Sequence, residues 1–70
     1  MADRKKVLDL HGVRHVEVER LVENFVLLNE PPLKIINGNS DMMRDIVLTK
    51  LNKLRMSWEM VDFTIIRVWK

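Results

Sequence analysis

Cysteine is absent from the 70-residue chain. That excludes a disulfide framework and thiolate metal ligation, and it fits a reducing compartment. No apolar stretch approaches the ~20 residues that a membrane span needs. The polar start MADRKK is not followed by the apolar core of a signal peptide, so the expected location is the cytoplasm. There is no Walker phosphate loop, no GxGxxG, and no serine in the setting of an activated nucleophile. No internal repeat, low-complexity tract or linker interrupts the chain. Aromatic residues are few, at 6%, and form no stacking platform. The basic residues form no long stripe.

What is present suits one ordinary globular domain over residues 1–70, with a frayed, basic start over residues 1–5. Hydrophobic residues make up 47% and charged residues 31%, too apolar for a disordered tail. A chain this short buries only about 60% of its unfolded surface, which allows one core and no second lobe. The net charge of +2 permits an anionic partner without requiring one.

The hydrophobic periods change along the chain. KVLDLH (6–11) is a short apolar run closed by Gly12, the pattern of a buried strand. Val18, Leu21, Val22 and Phe25 then fall on one face of a helix predicted over 15–29. Glu17, Arg20 and Asn24 take the opposite side, and Pro31-Pro32 ends the segment. LKIIN (33–37) reads as a second strand meeting a turn at Asn37-Gly38. Ser40 is a good N-cap and Asp41 suits a first helical turn. Met43, Val47, Leu51 and Leu54 line one face of a second helix over 41–55. Met42, Met43, Met56 and Met60 read as core filler, whereas Leu27 and Leu48 fall on the polar sides of their helices. Residues 60–69 read mainly as one long strand. A break near Asp62 would make two shorter strands, but the usual hairpin turn residues are missing there.

The order β-α-β-α-β(-β) implies a two-layer α/β or α+β sandwich, with a small parallel or mixed sheet. In a parallel pair, the first strand and the second end at the same edge. DLHG and NGNS are therefore expected to form one site, where both helices also begin. That edge is where open α/β sheets bind ligands, and helix N-termini suit phosphate. Asp9 can accept a proton, orient a neighbour or simply bind backbone N–H groups of the turn, and His11 can act as acid, base or phosphate donor. Gly12 and Gly38 let backbone approach a ligand or turn with positive φ. Asn37, Asn39 and Ser40 add neutral hydrogen-bonding groups. Arg14, His15, Lys34 and Arg44 lie nearby in sequence and can contact a nucleic-acid backbone. His11 and His15 stand four apart, but Gly12 between them spoils a helical metal pair, and no metal ligands are assigned.

The segment LDLHGVRHVEVERLVENFV…PLKIINGNS…MRDIVLTKLNKL resembles a Smr (small MutS-related) domain, over about residues 7–68. Leu8, Asp9, Leu10, His11 and Gly12 match the family's first motif in full. The second family motif, commonly His-Gly-x-Gly or Thr-Gly-x-Gly, stands here as Asn37-Gly38-Asn39-Ser40. The resemblance implies a stand-alone minimal domain, similar to the C-terminal domain of translation initiation factor 3, with both helices on one face of a mixed sheet. It implies nucleic-acid binding and endonuclease action on DNA or RNA, with Asp9 and His11 as the catalytic or substrate-orienting pair. It also implies that Gly12 and Gly38 shape the loops around the scissile phosphate. An amide does not titrate, so Asn37 cannot supply the proton transfer that a histidine at its position would. The residues leave open whether a divalent cation such as Mg2+ or Mn2+ takes part. They also leave two alternatives: a nucleic-acid-binding module without catalysis, and an interaction module that docks on a protein or forms a homodimer through an edge strand and Leu48. No membrane partner is expected.

Overall fold

The computed structural model describes residues 7–69; the expected frayed start over residues 1–5 lies outside them. The order is β1 (Val7–Asp9), α1 (His15–Leu28), β2 (Leu33–Ile36), α2 (Asp41–Lys53), β3 (Ser57–Asp62) and β4 (Ile65–Trp69). The strands form one mixed sheet in the order β1-β2-β4-β3. Only β1 and β2 run parallel; β4 is antiparallel to both its neighbours.

Alternation along the strands decides which face is covered. Leu33 and Ile35 of β2, and Ile66 and Val68 of β4, are buried, while Lys34 and Arg67 between them are exposed. The buried residues share one core with Val18, Val22, Phe25 and Val26 of α1 and Met43, Val47 and Leu51 of α2. Both helices therefore lie on one face, and among the described residues no element covers the other. The helix stripes read from periodicity are the buried ones, with Leu21 and Leu54 half-buried at their margins. Glu23 and Lys50 pair across the two helices at 3.1 Å.

Three expectations are corrected. Residues 60–69 are not one strand: the chain reverses at Phe63-Thr64 into a β3–β4 hairpin. The reversal needs no glycine because Asp62 builds it. Its Oδ1 accepts from the Thr64 N–H at 2.7 Å and from Thr64 Oγ1 at 2.8 Å. A bulge between Met60 and Asp62 supplies the twist that a glycine-rich turn would otherwise provide. Met42 is not core filler; it is 61% exposed, because it falls one position off the Met43–Val47–Leu51 stripe. Leu48 is not on a polar face; it is half-buried and packs against the core beside Met60.

Helix α2 ends earlier than its pattern implies, at Lys53 rather than Arg55. Met56 N donates to Leu51 O at 3.0 Å and Arg55 N to Asn52 O at 3.1 Å. This closure is the glycine-type helix end, yet Arg55 carries it at φ 60. Helix α1 ends at Leu28, and Asn29 Nδ2 donates back to Phe25 O at 2.9 Å.

Candidate nucleic-acid interface

Strands β1 and β2 end side by side. Asp9 stands opposite Ile36, and the next rung is closed by Leu10 N donating to Ile36 O at 2.9 Å. The chain then leaves the sheet at Leu10 on one strand and at Asn37 on the other, and each exit turns directly into a helix. The turns DLHG and NGNS thus meet at one rim, as the strand order requires. Both need a left-handed residue, with Gly12 at φ 79 and Gly38 at φ 70. A Cβ at either glycine would meet nothing within 4 Å, so conformation rather than space demands glycine there.

The side chains at the rim divide into those that build the turns and those left to solvent. Asp9 Oδ1 accepts from the His11 N–H at 2.9 Å, which fixes the first turn, and Val13 N closes it onto Leu10 O at 3.0 Å. Ser40 Oγ accepts from the Met43 N–H at 3.1 Å and caps α2. His11, Gly12, Arg14, His15 and Asn39 are exposed. Arg14 is the N-cap residue of α1; its carbonyl accepts from the Glu17 N–H at 2.9 Å, and no side chain caps the N–H groups of that first turn. Arg44 lies one turn into α2, where its guanidinium meets Asp41 at 3.0 Å.

Asn37 has a different part from the one its motif position implies. It is 2% exposed. Its backbone N–H donates to Thr64 O at 2.8 Å, and its Nδ2 donates to Phe63 O at 3.2 Å and Gly38 O at 3.1 Å. Its Oδ1 has no hydrogen-bond partner among the described residues. The orientation is fixed, since a flipped amide would aim an oxygen at two carbonyls. Asn37 therefore ties the β3–β4 hairpin to the rim instead of presenting a group to solvent.

That the hairpin tip belongs to the rim is what sequence reasoning misses. Phe63 is 79% exposed there. The Asp-Phe-Thr triplet is the one local signal for it, because an Asp two residues before a Thr can close such a turn. The Thr64 backbone N–H, then its hydroxyl, holds the Asp62 carboxyl below the ordinary carboxylate value. Lys34, by contrast, is not brought to the rim. It stands in mid-strand on the open face, opposite Val7 and Arg67.

Among the described residues, no three His, Asp or Glu side chains meet to hold a metal ion. Nor, among the described residues, is any helix long and apolar enough to cross a membrane. The rim offers two helix N-termini, two exposed imidazoles, the exposed Arg14 guanidinium, the half-buried Arg44 paired with Asp41, and two glycine turns, a donor set suited to a phosphate backbone. Comparison with protein-family models, curated proteins and solved structures gives no match to this chain.

Proposed function

We propose that the chain is a Smr-type nucleic-acid-binding domain, built like the C-terminal domain of translation initiation factor 3, and that the rim seats a phosphodiester. The observation that carries this reading is the shared exit of DLHG and NGNS from adjacent parallel strands, with a helix beginning after each. Phosphate oxygens accept from N–H groups, and Arg14, His15 and Arg44 add charge-assisted donors around them.

Hydrolysis of the bound phosphodiester is the activity that the Smr resemblance implies. In that step water attacks phosphorus, the bond to the leaving oxygen breaks, and a general acid protonates that oxygen. His11 is the exposed group at the rim suited to the transfer. Asp9 is a positioning residue in this reading, because its Oδ1 is engaged by the His11 N–H and fixes the loop. Purified protein incubated with single- and double-stranded DNA and RNA tests the reading. Cleavage is expected from the native chain and Asp9→Asn, whose amide oxygen still accepts the N–H. It is expected to be lost in His11→Ala. Equal cleavage by native protein and His11→Ala would remove the catalytic role.

A second reading, binding without hydrolysis, is favoured by Asn37. The family's His or Thr position is occupied here by a buried amide committed to the hairpin. Salt-dependent binding with no cleavage of any substrate would select that reading.

A further inference from the structure

Beside the rim, between α2 and the edge strand β3, lies a hollow of about 350 Å³ lined by Arg44, Leu48, Met60, Asp62 and Phe63. Its floor is apolar, made by Leu48 and Met60, both half-buried. Its walls are unlike its floor. On one side is the Phe63 ring, held out at the hairpin tip and 79% exposed. On another is Arg44, on the α2 turn that follows the Ser40 cap. An exposed aromatic ring and a guanidinium are the two side-chain planes on which unstacked bases settle. The hollow adjoins the rim, because Asn37 at the end of β2 hydrogen-bonds the Phe63 and Thr64 carbonyls directly.

We propose that this hollow receives one unpaired base of a single-stranded nucleic acid whose backbone crosses the rim. The inference rests on the nucleic-acid reading above and sharpens it to a substrate class. A base inside a duplex has both faces covered by its neighbours and cannot enter without being extruded, so a single strand or an unpaired end is the natural occupant. Arg44 lines the hollow from the α2 turn next to the rim, with its guanidinium held in place by Asp41 at 3.0 Å. Asp62 adds an acceptor at the margin, which suits bases carrying an amino group.

The test compares a short single-stranded oligodeoxycytidine with an abasic strand of the same length and phosphate count, bound to the full chain at one salt concentration. The base-bearing strand is expected to bind roughly tenfold more tightly, the scale of one base stacked on an aromatic side chain. Phe63→Ala is expected to abolish the difference and Phe63→Trp to keep it. Phe63 is exposed, so unchanged thermal unfolding of both variants is the expected control. Equal binding of both strands by the native chain, with His11→Ala or Arg14→Ala weakening both, would leave the rim and eliminate the hollow. A base preference that survives Phe63→Ala would also eliminate it. No binding of either strand, nor of the corresponding RNA, would eliminate the rim reading together with this one.

Discussion

The two ends of the domain differ in the chemistry they can do. At the rim, the parallel strands end and both helices start. At the far end, both helices finish, and a hollow of about 600 Å³ opens among residues such as Leu27, Leu28, Leu54 and Met56. The far hollow is larger than the one beside the rim, and its lining mixes Leu27 and Leu28, 64% and 75% exposed, with Asn29, Glu30 and Arg55. Yet it sits where helix carbonyls accumulate, which repels anions. The rim gathers N–H donors, imidazoles and guanidinium groups. Volume alone would select the wrong end for a phosphate ligand; the direction of the helices selects the other.

Two asparagines sharpen the contrast. Asn37 at the rim is buried, with Nδ2 between two carbonyls, whereas Asn29 at the far end is half-buried and caps one carbonyl. Asn37→Asp would aim a buried carboxylate at the Gly38 and Phe63 carbonyls. The expected cost is about 3 kcal/mol or more at neutral pH, read by urea unfolding. The loss should shrink in acid, because the protonated carboxyl can again donate. A variant as stable as the native chain would show that the hairpin is not held through this amide.

Next in size is Ser40→Ala, which removes the one side-chain cap at the rim and is expected to cost about 1 kcal/mol. The far end is expected to move in the opposite direction. Arg55→Gly relieves a left-handed arginine and should gain up to about 1 kcal/mol, seen as a raised Tm. A loss there would mean that the arginine side chain contributes more than its backbone conformation costs.

The smallest effect expected is the pH response of the hairpin. The Thr64 N–H and hydroxyl lower the Asp62 carboxyl below its ordinary value of 3.8. A carboxyl depressed in the folded state adds stability above its unfolded value, and that stability is lost as pH falls through the folded one. The Phe63 and Thr64 amide signals should therefore stay native down to about pH 4 and shift below it. In Asp62→Asn this acid transition should vanish.

The rim was legible in the chain because its parts are local. Gly12 and Gly38 close two apolar runs, Ser40 precedes a helical stripe, and the β-α-β order alone brings the two turns to one edge. The rest depended on tertiary placement. The hairpin was legible only as the alternative break near Asp62, because Asp62 and a bulge do the work expected of glycine. The burial of Asn37 depends on Thr64 and Phe63 folding back over it, a contact across 26 residues. Lys34 looked close to the site along the chain, but strand register puts it on the open face. The helix end was legible to within two residues, but not that Arg55 closes it, since a left-handed arginine has no sequence signature.

The most direct measurement is an amide chemical-shift titration of the labelled chain with a short single-stranded oligonucleotide. Shifts are expected to centre on residues 9–15, 37–44 and 62–64, and to fade as salt rises. Shifts centred on residues 27–31 and 54–56, or on Lys34 and Arg67 of the open sheet face, would contradict the rim as the nucleic-acid interface.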